Sequence, residues 1–108
     1  MNVKQLSVGE LKARFDKKEN FILVDVREKN EFEIARIPNS KLIPLSEFSK
    51  RVLEELKPEM DLVLHCHHGG RSQRASEYLV SMGFKNVANL AGGIDAWSVE
   101  IDNTIPRY

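Results

Sequence analysis

The order of apolar and polar positions along the chain predicts alternating strands and helices. The stretches FILVDV (21–26) and DLVLHC (61–66) are nearly continuous apolar runs, which is the pattern of strands covered on both faces. Shorter runs, KLIPL (41–45) and NVANL (86–90), predict two further strands. We expect the segment 21–26 to be a central strand of a parallel sheet.

Segments with helical periodicity connect these strands in the first half of the chain. Ser7 and Glu10 have the spacing of a capping box, which predicts a short helix that begins there. The polar segment 28–36 is compatible with a second helix. A third helix is predicted to begin at Ser46 and to end before Pro58. Its expected apolar stripe consists of Phe48, Val52, Leu53 and Leu56.

The second half of the chain predicts two more helices. One begins at about Ser72 and ends near Gly83, and the other begins in GGIDAW (92–97). Short connections between alternating strands and helices predict an α/β three-layer sandwich with a mainly parallel sheet. With 108 residues, we expect one domain spanning 1–108. The apolar face expected for the fourth helix consists of Ala75, Tyr78, Leu79 and Met82.

The segment HCHHGGRS (65–72) carries every histidine and the only cysteine of the chain, Cys66. It follows a predicted strand, and ligands of parallel sheets bind at the carboxyl ends of the strands. Asp25 and Arg27 end another predicted strand and should lie at the same edge. These residues are therefore the candidates for a functional site.

Three histidines beside a cysteine suggest a metal site, but their spacing argues against one. Neighbouring residues that leave a strand point to opposite faces, so that contiguous ligands converge poorly on one ion. We therefore expect no metal here. His65, which is still inside the predicted strand, is expected to be a packed or hydrogen-bonded histidine.

The same segment has the residue types of an anion-binding loop. Gly69 and Gly70 allow successive backbone N–H groups to turn toward one point, and the helix that begins near Ser72 adds its positive end. Arg71 adds a fixed charge. Such surroundings lower the pKa of a thiol and make Cys66 a candidate nucleophile, whereas the alternative is an inert buried cysteine.

Three motifs in order resemble those of the rhodanese family of sulfurtransferases. They are LVDVRE (23–28), CHHGGRS (66–72) and GFKNVANLAGGIDAW (83–97). Four residues separate Cys66 from Arg71, one fewer than in related cysteine phosphatases, and a tighter loop suits a single sulfur atom better than a phosphoryl group. The resemblance implies a five-stranded parallel sheet between helices. Where the family commonly has a turn glycine this chain has Asn39, which tolerates the left-handed conformation.

The resemblance implies a mechanism in which Cys66 takes a sulfur atom from a small anionic donor such as thiosulfate and carries it as a persulfide. Cyanide, a cellular thiol or an acceptor protein then removes it, without cofactor or metal. The N–H groups of residues 67–72 would stabilise the outer sulfur. Arg71 either binds the donor or braces the loop through a carboxylate such as Asp25.

The roles of the neighbouring residues stay open at this level. His67 and His68 either add positive charge for an anionic donor or are solvated. Asp25 and Arg27 either orient the loop or form an ordinary ion pair. Trp97 is expected to pack in the core or at the rim of the site and not to contact substrate.

Composition narrows the remaining possibilities. Sixteen acidic and sixteen basic residues balance, so that no global field attracts nucleic acid or an anionic membrane. No secretory signal pattern or membrane-length apolar run is present, and we expect a cytoplasmic protein. The competing functions are a non-catalytic binding or regulatory module of the same fold and a cysteine phosphatase or arsenate reductase.

Overall fold

The computed structural model describes residues 3–108, and within them strands and helices alternate as the sequence predicts. The strands are β1 (Lys4–Leu6), β2 (Ile22–Asp25), β3 (Ser40–Leu42), β4 (Asp61–His65) and β5 (Asn86–Leu90). The helices are α1 (Val8–Asp16), α2 (Lys29–Ile34), α3 (Phe48–Glu55), α4 (Gly70–Ser81) and α5 (Gly93–Glu100), with a 3-10 turn at Leu45–Glu47 before α3.

The strands form one parallel sheet in the order β1-β5-β4-β2-β3. This confirms the predicted α/β class with a parallel five-stranded sheet. The central strand is β4, which carries Cys66 at its carboxyl end, and β2 lies directly beside it. Strand β1 was not predicted, because its three residues have only one buried side chain, Leu6, and no apolar run.

Both faces of the sheet are covered by helices, which explains the continuous apolar strand sequences. Along β4, Leu62 and Leu64 enter one core and Val63 enters the other. The first core also holds Phe48 and Val52 of α3, and the second holds Leu11, Ile94 and, as expected, Trp97.

Helix boundaries follow local sequence signals, whereas the predicted apolar faces are partly wrong. Ser7 and Glu10 make both hydrogen bonds of the capping box at the start of α1. Leu53 is 50% exposed, because it lies about 100° around α3 from the buried Val52. Tyr78 on α4 and Met82, which directly follows α4, are likewise exposed.

The turn before β3 adopts the conformation that the sequence predicts. Asn39 has φ of +68°, in the left-handed region, where the family that the sequence motifs resemble commonly has glycine.

Candidate active site

Cys66 lies immediately after β4, with its side chain buried inside the loop that leads into α4. Its Sγ accepts hydrogen bonds from the backbone N–H groups of Gly69 (3.2 Å) and Ser72 (3.4 Å), and Ser72 Oγ is 3.5 Å away. Gly69 has φ of +116°, which lets the loop turn so that these N–H groups converge. Helix α4 begins at Gly70, two residues earlier than predicted.

The electrostatic surroundings favour the thiolate. Burial alone raises the pKa of the Cys66 thiol, but hydrogen bonds from the Ser72 hydroxyl and from the N–H groups of Ser72, Gly69 and Arg71 outweigh it. The pKa of Cys66 therefore lies below its usual value, as expected for a sulfur held by converging donors.

Ser72 connects the sulfur to the neighbouring strand β5. Its Oγ is 2.5 Å from Asn89 Oδ1 and 3.2 Å from the carbonyl oxygen of Gly69, so that these two acceptors compete with Sγ for the single hydroxyl proton, and Asn89 makes the shortest contact. Asn89 is held in turn by donating to Gln5 Oε1 of β1 (3.0 Å). The third sequence motif, 83–97, includes Asn89 but did not single it out, although its position at the carboxyl end of a strand was a usable signal.

The start of α5 packs directly against the backbone of the loop. The N–H of Ile94 donates to the carbonyl of Cys66 (2.9 Å), and that of Asp95 donates to the carbonyl of His67 (3.1 Å). A Cβ on Gly93 would lie 2.5 Å from both carbonyl oxygens. The glycine pair of the third sequence motif therefore allows two backbone segments to approach closely.

Arg71 braces the loop, but its partner is not the expected Asp25. Its two terminal nitrogens donate to the two carboxylate oxygens of Glu31 in α2, at 2.7 and 2.9 Å. The hydrogen bonds from Arg71 lower the pKa of Glu31 to about 2. Asp25 was the wrong choice because its carboxylate is fully buried and occupied by Arg27.

Asp25 and Arg27 form a buried pair beneath the loop. The guanidinium contacts both oxygens of Asp25, at 2.7 to 3.1 Å, and donates to the carbonyl of Ala35 (2.6 Å) at the end of α2. This pair connects the end of β2 to α2 and so helps to place Glu31 opposite Arg71.

Tyr108 joins this network from the far end of the chain. Its hydroxyl lies 2.8 Å from Glu31 Oε2 and accepts a hydrogen bond from Arg27 Nη1 (2.9 Å). Its ring is stacked on His67, with centroids 4.1 Å apart. Sequence reasoning missed Tyr108, because no pattern connects an aromatic residue so far along the chain to the loop.

The three histidines have different surroundings. His65 is fully buried, and burial lowers its pKa, consistent with the packed histidine that the sequence predicts. Burial also lowers the pKa of His67, which disfavours the positive charge considered for it. His68 is exposed, yet its ring centroid lies only 4.0 Å from that of His67. Beyond the end of β4, adjacent side chains therefore do not point to opposite faces, and this premise of the sequence argument was wrong.

A family model described as "Rhodanese-like domain" matches residues 7–100. The chain belongs to the rhodanese-like domain family. It is also similar to the solved structure of a rhodanese-like domain protein from Staphylococcus aureus, with a TM-score of 0.84 and 29% identity over 98% of this chain and 99% of that one.

Parts of two curated proteins illustrate the similarity of this chain to longer relatives. "Rhodanese-like/PpiC domain-containing protein 12, chloroplastic" of Arabidopsis thaliana is 40% identical over 98% of this chain and 38% of its own length. "Adenylyltransferase and sulfurtransferase UBA4" of Candida albicans is 32% identical over 84% of this chain and 22% of its own length. The chain thus spans about a fifth to two fifths of these relatives.

The features of this rhodanese-like domain that bear on chemistry converge at one sheet edge. The buried Cys66 sulfur accepts hydrogen bonds from backbone N–H groups of its loop, and the Arg71–Glu31 pair holds that loop against α2. Such a site can hold an anionic atom attached to the sulfur. In the described part of the chain, no helix has the length and apolar character needed to cross a membrane.

Proposed function

We propose that this rhodanese-like domain is a sulfurtransferase in which Cys66 carries sulfane sulfur between a small anionic donor such as thiosulfate and a thiophilic acceptor. The observation that carries the proposal is the convergence of Gly69 N–H, Ser72 N–H and Ser72 Oγ on the Cys66 sulfur. The membership of the family, with a relative named as a sulfurtransferase, supports the same reaction class.

In the proposed first step, the thiolate of Cys66 attacks the outer sulfur of thiosulfate. A new S–S bond forms, the S–S bond of thiosulfate breaks, and its electron pair leaves on sulfite. The persulfide then carries a negative terminal sulfur, which backbone N–H groups of the 67–72 loop stabilise. In the second step, cyanide or a thiolate attacks that terminal sulfur, and the electron pair of the broken bond returns to Cys66.

The chain's own residues divide these tasks. Because Arg71 is already engaged by both oxygens of Glu31, we assign it to hold the loop in shape and not to bind the donor. Asp25 and Arg27 support α2 beneath that pair. Cys66 is the only cysteine of this 108-residue sequence, so that no second thiol within it can take up the sulfur, and we assign that step to a small thiol or an acceptor protein.

Intact-mass measurement tests this function directly. Incubation with thiosulfate should add one sulfur atom to the protein, and cyanide should remove it with release of thiocyanate. The variant Cys66→Ala should do neither. Thiocyanate production by Cys66→Ala at the rate of the unaltered protein would refute the proposal.

Two controls separate the competing functions. A non-catalytic binding module would acquire no sulfur from thiosulfate, glutathione persulfide or mercaptopyruvate. A cysteine phosphatase would hydrolyse a generic aryl phosphate, which the tight loop should not accommodate. The cytoplasmic location remains a prediction, and the Arabidopsis relative is named as chloroplastic.

A further inference from the structure

Two imidazoles and a carboxylate lie close together where the Cys66 loop meets the start of α5. One potential ligand atom from each of His67, His68 and Asp95 lies within 4.8 Å of the other two. The histidine ring centroids are 4.0 Å apart, and His68 Nε2 lies 3.7 Å from Asp95 Oδ2. These three side chains make none of the hydrogen bonds to Cys66 Sγ and do not contact the Arg71–Glu31 pair through hydrogen bonds.

The backbone fixes the relative positions of these three residues. Asp95 donates its N–H to the carbonyl of His67 (3.1 Å), and the neighbouring Ile94 donates to the carbonyl of Cys66 (2.9 Å). Gly93 permits this close packing, because any Cβ there would overlap both carbonyl oxygens. The carboxylate on α5 and the imidazoles on the loop are therefore held together before any ligand arrives.

Two imidazole nitrogens and one carboxylate oxygen are a donor set that suits Zn²⁺ and similar divalent ions. Metal–ligand bonds of about 2.0–2.2 Å place tetrahedral ligand atoms roughly 3.4 Å apart, close to the 3.7 Å between His68 and Asp95. His67 Nε2 is buried without a hydrogen-bond partner in the described structure. We propose that His67, His68 and Asp95 bind a divalent transition-metal ion such as Zn²⁺ at the rim of the Cys66 loop.

Arg107 is the competitor of this ion. Its Nε donates to Asp95 Oδ1 (2.9 Å) and its Nη2 to Asp95 Oδ2 (3.2 Å). An incoming cation must share the carboxylate with this guanidinium or displace it. Both groups carry positive charge, so that removing Arg107 relieves repulsion and frees an acceptor oxygen. Loss of this arginine should therefore tighten metal binding, whereas loss of an ordinary surface arginine should not.

Titration with Co²⁺, followed by its visible absorption, tests the site without reference to sulfur transfer. The ligand variants His68→Ala and Asp95→Asn should each weaken Co²⁺ binding at least about tenfold. Arg107→Ala should strengthen it severalfold. The matched control Asp16→Asn changes another carboxylate that is paired with a cation, Lys12, and should leave binding unchanged.

A fifth variant distinguishes this site from binding at the thiol. Cys66→Ala should retain Co²⁺ affinity, and the unaltered protein should lack the near-ultraviolet charge-transfer band of a cobalt–thiolate bond. Circular dichroism confirms that each variant is folded. The proposal is overturned if the unaltered protein does not bind Co²⁺, if Cys66→Ala abolishes binding, or if His68→Ala and Asp95→Asn bind like the unaltered protein. None of these results would bear on whether Cys66 carries sulfur.

Discussion

Gly93 is the position where one added carbon atom should disturb the loop most. An alanine Cβ would lie 2.5 Å from the carbonyl oxygens of Cys66 and His67 and 2.7 Å from the carbonyl carbon of His67. All three are backbone atoms, so that no flexible side chain can move aside. Either the loop or the start of α5 must shift.

The size of the effect follows from three contributions. The left-handed conformation of residue 93, with φ of +59°, costs an alanine about 1–2 kcal/mol. Forced separation of packed groups costs about 1–3 kcal/mol. It also weakens the hydrogen bonds from Ile94 and Asp95 to the loop carbonyls, each of which contributes about 1 kcal/mol. We expect Gly93→Ala to lower the free energy of unfolding by about 3–5 kcal/mol, a large part of a typical total of about 5–15 kcal/mol.

Gly83→Ala is the matched control. Gly83 also has positive φ, +95°, but a Cβ there would meet no atom within 4 Å. This variant should lose only the conformational cost, about 1–2 kcal/mol, and should keep its rate of sulfur transfer. Urea unfolding measures the loss of stability in both variants. The rate of thiocyanate production, at a temperature where both are folded, measures whether the loop still supports sulfur transfer. Equal destabilisation of the two variants, with equal activity, would refute the close-packing argument.

Three further substitutions test individual contacts of the loop. Ser72→Ala removes one donor to the sulfur and should lower kcat/KM for thiocyanate formation by roughly tenfold to a hundredfold, whereas Ser81→Ala, elsewhere on α4, should not. Tyr108→Phe keeps the stacking on His67 but loses the hydrogen bonds to Arg27 and Glu31, so that its free energy of unfolding in urea should fall by about 1 kcal/mol. Tyr108→Ala also loses the stacking and should be destabilised further. Glu31→Gln removes the charge that pairs with Arg71 and should lower the free energy of unfolding by about 1–2 kcal/mol at neutral pH. The folded pKa of Glu31, about 2, lies below its usual 4.5, so that its contribution is fully present above about pH 4.5 and disappears as the pH falls toward 2.

Each of these substitutions has an outcome that contradicts its reasoning. Equal losses of kcat/KM in Ser72→Ala and Ser81→Ala would show that the hydroxyl does not act on the sulfur. Identical stability of the two Tyr108 variants would exclude a contribution from stacking. A stability difference between Glu31→Gln and the unaltered protein that is constant from neutral pH to pH 2 would contradict the ion pair with Arg71.

The predictable features of this molecule are those encoded by neighbouring residues. The apolar run 86–90 predicted strand β5, and the glycine pair 69–70 predicted the tight loop after Cys66. Both signals are local, because strand periodicity and the conformational demands of a turn depend on neighbouring residues. The prediction of a parallel sheet placed Cys66 and Asp25 at one edge, as the structure shows. Strand β1 was missed because it depends on pairing with β5 and not on its own apolar content.

The unpredicted parts of the site are contacts between remote segments. Glu31 is 40 residues from Arg71 along the chain, and Tyr108 is 77 residues from Glu31. Several carboxylates were available to Arg71, and choosing among them requires the path of α2, which the buried Arg27 sets through the carbonyl of Ala35. The presence of Arg71 in the sequence could indicate an ion pair that supports the loop, but it could not identify Glu31 as the partner.

The pairing of the arginines around the loop also governs how an anionic donor would approach it. The charge of Arg71 is matched by Glu31 and that of Arg107 by Asp95, so that these two arginines contribute little net field in solvent. The N–H dipoles inside the loop act only over short distances. The rate of diffusional encounter with an anionic donor such as thiosulfate should therefore vary weakly with ionic strength. At a site lined by unpaired cations, this rate would fall rapidly as the salt concentration rises. In the proposed reaction, the loop would therefore select an anionic donor after contact and not by attraction from a distance.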